Sequence, residues 1–218
     1  MFFKKYRYDD IMTIELKELK KRIKIVVIDD DENSFPIIQM QSFGFTLEYW
    51  AEIDVEKLNR LEEGAFDIIV LDIFGVVNKS LGDLTGLDIL KSLKHKNPKQ
   101  LIIAFSGSSY EIDKGEFWKL ADDFIKKPIS AFDTKERLES ILSDNYSINK
   151  LLSKIKETVS KQVQDIKKES EIENIIVKAI FSRSNKLDLV KLTRIGIQDT
   201  ASIMTLVTTI ISIIKGHL

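Results

Sequence analysis

The stretch "FDIIVLDIFG", residues 66–75, contains the pattern that decides the fold of this chain. Positions 68–73 hold five large apolar residues and one carboxylate, Asp72. A short, continuous apolar run predicts a strand that is buried on both faces, as in a parallel sheet. A carboxylate beside such a strand is costly unless it is paired, neutralised or bound to a metal. The position of Asp72 therefore needs a chemical explanation.

Strand and helix signals alternate along the chain on both sides of this stretch. Further strands are predicted at 23–28, 45–53, 100–109 and 122–129, and helices at 32–44, 54–64, 85–98, 111–121 and 131–145. Asp54 is the predicted N-cap of the second helix, and Asp133 and Glu136 are spaced like a capping box in the last. The alternation predicts an α/β fold with a doubly wound, five-stranded parallel sheet in the order 2-1-3-4-5.

Charged and hydroxyl side chains follow four of the predicted strands. Asp29 and Asp30 follow the first strand, Asp72 ends the third, Ser106 ends the fourth and Lys127 follows the fifth. Each alone is as easily a turn, cap or surface residue. Together they lie at the carboxyl edge of the sheet, where ligands of such folds bind, so we expect them to converge. Three carboxylates suit Mg²⁺, and an aspartate can accept a phosphoryl group, so the pattern indicates phosphoryl transfer onto Asp72.

Five motifs carry a resemblance to a known family: "VVIDDDE", "IIVLDI", "GLDILKSLK", "IIAFSGSS" and "ADDFIKKP". In this order, over about residues 23–143, they resemble the receiver domain of two-component response regulators, which has a flavodoxin-like fold. The resemblance implies that the chain is not an enzyme but a phosphoacceptor that assists its own phosphorylation and dephosphorylation. The donor would be a histidine kinase or a phosphotransfer protein.

The resemblance also implies a role for individual residues. Asp72 would be the phosphoacceptor, and Lys127, joined to Pro128 by a cis bond, would pair with the phosphate. Ser106 would be the switch hydroxyl, and Phe124 the aromatic that changes rotamer with it; for Phe124, plain core packing is the alternative. The implied Mg²⁺ ligands are Asp29, Asp30, Asp72 and the backbone carbonyl of Phe74.

The loop after Asp72 departs from the family pattern. The family usually has a Met-Pro pair there, followed by a glycine that opens the next helix. Here "FGVVNKSLGDLTG" (74–86) contains no proline, and Gly86 opens the helix several residues late. Phe74 places a bulky apolar group where attacking water is positioned. We therefore hypothesise that the phosphoryl group is hydrolysed slowly.

The region beyond residue 145 follows a different pattern. Apolar residues at steps of three and four predict a helical stripe suited to a coiled coil or a helix hairpin: Ile148, Leu151 or Leu152, Ile155, Val159, Val163 and Ile166. The residues 146–218 carry a net charge of +5 and the rest of the chain −6. We therefore divide the chain into an extension (1–22), a receiver (23–145) and a helical region (146–218) for dimerisation or output.

Composition limits the remaining alternatives. The chain has no cysteine and two histidines, which excludes disulfides and argues against a multi-histidine zinc site. The longest nearly apolar run, 201–214, is too short for a transmembrane span, and no signal peptide is evident, so we expect a cytoplasmic protein.

Three function classes stay open. The leading one is a phosphorylation-controlled response regulator acting through a homodimer or a protein partner of residues 146–218. For the helical region itself, nucleic acid binding is possible but finds no motif in support, and a membrane-surface or pore-like role of residues 199–218 is a further alternative. The alternatives are a phosphate-independent scaffold or adaptor with the receiver fold, and a phosphatase resembling the haloacid dehalogenase family. That family requires a second aspartate where this chain has Phe74.

Overall fold

The computed structural model describes residues 6–97, 100–107, 119–183 and 187–216. The chain divides into two compact units. One spans Ile23–Ser140, and the other combines the residues before position 23 with those from Ile141 onward. The N-terminal extension thus belongs to the same unit as the C-terminal helices.

Five parallel strands form one sheet within the described part of the first unit. They are β1 (Lys24–Ile28), β2 (Thr46–Trp50), β3 (Ile68–Leu71), β4 (Leu101–Ser106) and β5 (Asp123–Lys126). The order is β2-β1-β3-β4-β5, with Val27 of β1 opposite Val70 of β3 and Val70 opposite Ile103 of β4. Every residue of β3 is buried, as its unbroken apolar run requires. The predicted fold and strand order are confirmed.

The helices of the described chain follow the strands closely. The chain begins with a short turn at Tyr8–Asp10 and α1 (Leu16–Arg22). The first unit contains α2 (Ile37–Ser42), α3 (Val55–Glu62), α4 (Gly86–Lys96) and the start of α5 (Ala131–Tyr146). The helix predicted at 111–121 lies almost entirely outside the described residues. Pro98, the last residue of the helix predicted at 85–98, also lies outside them.

Of the two helix starts for which capping residues were predicted, one agrees with the structure and one differs. The cap at Asp54 is confirmed, since its carboxylate accepts a hydrogen bond from the Lys57 backbone N–H at 2.8 Å. The capping box of α5 was placed wrongly: Ser130 lies before the helix, its hydroxyl accepts from the Asp133 backbone N–H, and it donates to the Asp133 carboxylate. The helix therefore begins one turn earlier than the Asp133–Glu136 spacing indicates.

The second unit is helical in its described residues. It contains α6 (Ile148–Gln162), α7 (Ile166–Phe181), α8 (Leu189–Ile195) and α9 (Thr200–Lys215). The nearly apolar α9 contacts α6, α7 and α8, and this contact explains how so apolar a helix is buried. Among the helices that the structure describes, none is long and apolar enough to cross a membrane.

The N-terminal extension packs against the C-terminal helices. The backbone N–H groups of Tyr6 and Tyr8 donate to the side chains of Asn174 and Glu173 on α7, at 3.1 and 2.8 Å. The guanidinium of Arg22 donates to the backbone carbonyl of Ile213 on α9 at 2.8 Å. The extension and the C-terminal helices therefore form one packed unit.

The apolar stripe of the tail is buried inside this unit, but one helix does not carry all of it. The residues from Ile148 to Val163 that belong to the stripe are buried. However, α6 ends at Gln162, and Asp165 caps a new helix by accepting from the Lys167 backbone N–H. Ile166, which fits the spacing, is 82% exposed at the start of that helix. The stripe is therefore carried by a helix hairpin and not by one continuous helix.

Candidate functional site

The predicted polar groups meet at the carboxyl edge of the sheet. Asp29 and Asp72 follow β1 and β3 directly, and these strands are neighbours. The Asp72 backbone N–H donates to the carbonyl of Ile28, which extends the parallel pairing into the site. Sheet order thus brings together two carboxylates that are 43 positions apart in the chain.

Three carboxylates form the core of the site. Asp29 is fully buried, Asp72 is 8% exposed and Asp30 is exposed. One carboxylate oxygen of each lies within 4.8 Å of the others. Close carboxylates repel, and oxygen ligands at this spacing are those that Mg²⁺ takes up. The residues therefore fit a divalent cation.

Lys127 supplies the positive charge of the site. Its ammonium group donates to the Asp72 carboxylate at 2.7 Å and also contacts the Asp29 carboxylate. Its backbone N–H donates to the carbonyl of Ser106 at the end of β4. This hydrogen bond fixes the backbone from which the Lys127 side chain extends. Burial opposes the charged ammonium, but the hydrogen bonds to Asp29 and Asp72 outweigh it and raise the pKa of Lys127. The bond from Lys127 to Pro128 is cis, as expected.

Asp72 is held by donors on both carboxylate oxygens. One oxygen accepts from Lys127, and the other accepts from the Ile73 backbone N–H at 2.7 Å. Burial is the largest influence and raises the pKa of the Asp72 carboxyl, while the hydrogen bond and charge of Lys127 lower it. The carboxylate is thus oriented at the edge of the sheet and incompletely neutralised.

Asp29 is held in place by two residues, Ser34 and Tyr49, that were not predicted from the sequence. The hydroxyl of Ser34 donates to its carboxylate at 2.7 Å, and the hydroxyl of Tyr49 on β2 donates to its backbone carbonyl. The Asp31 backbone N–H also donates to the carboxylate, at 3.0 Å. A hydroxyl five residues after an aspartate carries no recognisable signal, but the pairing of β2 with β1 could have placed Tyr49 near this loop.

The two proposed switch residues lie in different environments. Ser106 is buried at the carboxyl end of β4, opposite Lys126 of β5. Phe124 on β5 is 56% exposed, so the alternative of plain core packing is wrong for this residue. The side chain of Phe74, two residues after Asp72, is 42% exposed. Both aromatic residues are therefore partly exposed at the surface.

The long loop after Asp72 is anchored to the connection between β2 and α3. Ile53 and Val77 form an isolated parallel bridge: the Ile53 N–H donates to the Val76 carbonyl at 2.6 Å, and the Asn78 N–H donates to the Ile53 carbonyl at 2.9 Å. Asn78 then caps a short turn at Lys79–Leu81. The loop is thus attached to the sheet edge at its first half, beside the acidic cluster.

Comparison with known proteins finds similarity to a curated regulator. No family model matches the chain. The cell cycle transcriptional regulator CtrA of Caulobacter vibrioides is 27% identical over 124 residues, which cover 55% of this chain and 50% of CtrA. The chain therefore spans about half the length of the curated relatives it matches.

Solved structures of similar proteins include several receiver domains. The CheY-like receiver domain protein of Methanospirillum hungatei is 23% identical, with a TM-score of 0.45, covering 56% of this chain and 94% of that one. The chemotaxis protein CheY4 of Vibrio cholerae is 20% identical, with a TM-score of 0.43, covering 55% and 98%. The fold assignment rests on the sheet order itself. The chain resembles response regulator receiver domains and carries a helical C-terminal region.

Proposed function

We propose that this chain is a two-component response regulator that accepts a phosphoryl group on Asp72. The observation that carries the proposal is the pairing of the Asp72 carboxylate with Lys127, beside Asp29 and Asp30, at the edge where β1 and β3 end. The similarity to a curated response regulator supports it. A receiver that served only as a scaffold would have no need for a costly group of buried charges.

The donor is a phosphohistidine of a histidine kinase or a phosphotransfer protein. An oxygen of Asp72 forms a bond to phosphorus as the bond from phosphorus to the histidine nitrogen breaks. The nitrogen retains the electron pair and takes up a proton, and Asp72 becomes an acyl phosphate. Such a transfer depends mainly on positioning and on neutralisation of charge.

The surrounding residues have separate roles in this step. The ammonium of Lys127, already 2.7 Å from Asp72, pairs with a phosphoryl oxygen. The hydroxyl of Ser106 donates to another. Asp29, Asp30 and Asp72, with the backbone carbonyl of Phe74, would hold Mg²⁺, which supplies positive charge to the phosphoryl oxygens when it is bound.

The phosphoryl group then shifts the receiver between two states. It acts only through the difference between its contacts in the two states, chiefly at Ser106, with Phe124 as the second moving side chain. The output is an altered engagement of residues 146–218 with a protein partner or a second copy of the chain. The helix hairpin formed by α6 and α7 is part of that region.

A small-molecule phosphoryl donor tests the acceptor residue directly. The intact chain is incubated with acetyl phosphate and Mg²⁺, and its mass and oligomeric state are measured. We expect the wild type to gain one phosphoryl group and Asp72→Asn, which keeps the side-chain shape, to gain none. If wild type and variant remain unmodified alike, the scaffold alternative replaces this proposal. Sustained hydrolysis of an aryl phosphate would instead favour the phosphatase alternative.

A further inference from the structure

Gly75, three residues after Asp72, lies against the carboxylate of Asp30. Its backbone has φ +74°, a conformation that residues other than glycine rarely adopt. A Cβ at this position would lie 2.1 Å from Asp30 Oδ2 and 2.6 Å from Asp30 Cγ. Both separations are far inside van der Waals contact. The present position of the Asp30 carboxylate therefore requires the absence of a side chain at Gly75.

The backbone at Gly75 has little room to retreat. Val76, which follows it, and Ile73, two residues before it, are buried, and Phe74 between Ile73 and Gly75 is 42% exposed. The carbonyl of Val76 accepts from the Ile53 N–H at 2.6 Å, and the bridge from Ile53 to Val77 holds the next residue. Asp30, in contrast, is an exposed side chain that can rotate. A side chain at position 75 would therefore displace Asp30 and leave the loop in place.

We propose that Gly75 is a positioning residue for the cation site, because it keeps the Asp30 carboxylate beside those of Asp29 and Asp72. This inference rests on the proposed function in one respect, namely that the cluster binds Mg²⁺. It assigns a specific purpose to a residue of the loop 74–86, in which this chain departs from the receiver pattern. Asp30 is the exposed member of the cluster, so its position depends on such a contact.

The same loop contains a matched control. Gly82 has φ +79°, nearly the value of Gly75, but nothing lies within 4 Å of the Cβ that it would carry. Gly75→Ala and Gly82→Ala thus share the cost of a side chain at positive φ. They differ in the contact with Asp30. Any difference in cation affinity between the two variants reports on that contact.

Mg²⁺ affinity of the full chain, measured by calorimetric titration at neutral pH, tests the proposal. Displacing a group that orients a metal ligand typically costs about 10-fold or more in affinity. We expect Gly75→Ala to bind Mg²⁺ about 10-fold more weakly than wild type, and Gly82→Ala to stay within about twofold. Equal affinities of the two variants overturn the inference and leave the proposed function intact. A wild type that binds no Mg²⁺ overturns both the inference and the metal role proposed above.

A double-mutant comparison separates positioning from a general structural effect. If Gly75 acts through Asp30, then adding Gly75→Ala to Asp30→Ala changes Mg²⁺ affinity no more than adding Gly82→Ala does. An undiminished loss in the Asp30→Ala background shows that Gly75 acts by another route. Should Gly75→Ala alone fail to fold, the Asp30→Ala double variant, which removes the clashing carboxylate, is expected to restore folding. Failure of this rescue also overturns the inference.

Discussion

Replacement of Lys127 by methionine isolates the charge that holds the acidic cluster together. The substitution keeps most of the apolar stem and removes the ammonium that contacts Asp29 and Asp72. Asp29 is fully buried, and the Lys127 side chain is 19% exposed. Breaking a buried ion pair by removing one partner costs roughly 3–5 kcal/mol, and partial exposure favours the lower end. We therefore expect Lys127→Met to lower the free energy of unfolding at pH 7 by about 3 kcal/mol.

The loss should depend on pH in a defined direction. Burial raises the pKa of the Asp72 carboxyl in the folded state, so that state binds the proton more readily than the unfolded chain does. The penalty for ionised Asp72 is therefore present above the raised pKa and disappears as the pH falls below it. Removing Lys127 takes away two influences that lower this pKa, so the pKa rises further. The variant thus regains stability on acidification at higher pH than the wild type, and its deficit shrinks as the pH falls.

Urea unfolding in Mg²⁺-free buffer measures this deficit, with Lys126→Met as the control. Lys126 is the preceding residue, is exposed and carries the same charge, so its loss should change stability by less than about 0.5 kcal/mol. The reasoning is refuted if the two variants are equally stable at pH 7. It is also refuted if the Lys127→Met deficit does not shrink on acidification, because the Asp72 carboxylate would then not be the source of the loss.

Three further outcomes follow from the site and from the helical unit. Phe74→Asn should shorten the lifetime of the phosphoryl group on Asp72, measured by mass after removal of the donor, whereas Phe132→Asn, also an exposed phenylalanine, should not; equal lifetimes contradict the hypothesis. Ile210→Ala in the core of α9 should lower the free energy of unfolding by about 2–5 kcal/mol, and Ile166→Ala at an exposed site by less than about 0.5 kcal/mol; similar effects would contradict the packing. Deletion of residues 146–218 should change oligomeric state or partner binding, and no change in either phosphorylation state would refute the role of that region.

The sheet was predictable because strands that are buried on both faces have continuous apolar sequences. The apolar residues of β1, β3 and β4 run without interruption, and side chains that follow parallel strands must share one edge. The convergence of Asp29 and Asp72 followed from these two facts. Hydrogen bonds made by a hydroxyl or a backbone group at the same edge, such as that of Ser34, leave no periodic trace in the sequence.

The errors of the sequence analysis concern choices that depend on local geometry. The helix predicted from residue 32 begins at Ile37, because the preceding loop turns on itself: the Asp31 N–H donates to Asp29, and the Ser34 N–H donates to the Asp31 carbonyl. In the tail, apolar spacing continues through the break at Val163, so periodicity alone joins α6 to α7. Spacing records which residues face a core. It does not record where the chain turns.

The acidic cluster carries a cost that the proposed cation would offset. Two carboxylates at the sheet edge are almost fully buried, a third lies within 4.8 Å, and one ammonium serves the first two. Burial is the largest influence on Asp72 and raises the pKa of its carboxyl even though the hydrogen bond and charge of Lys127 lower it. Replacing such a buried charged group with apolar residues of similar volume is often neutral or stabilising for the fold. Under the proposed function, a divalent cation would reduce the repulsion without displacing Lys127, and the lysine would remain available to pair with the oxygens of an arriving phosphoryl group.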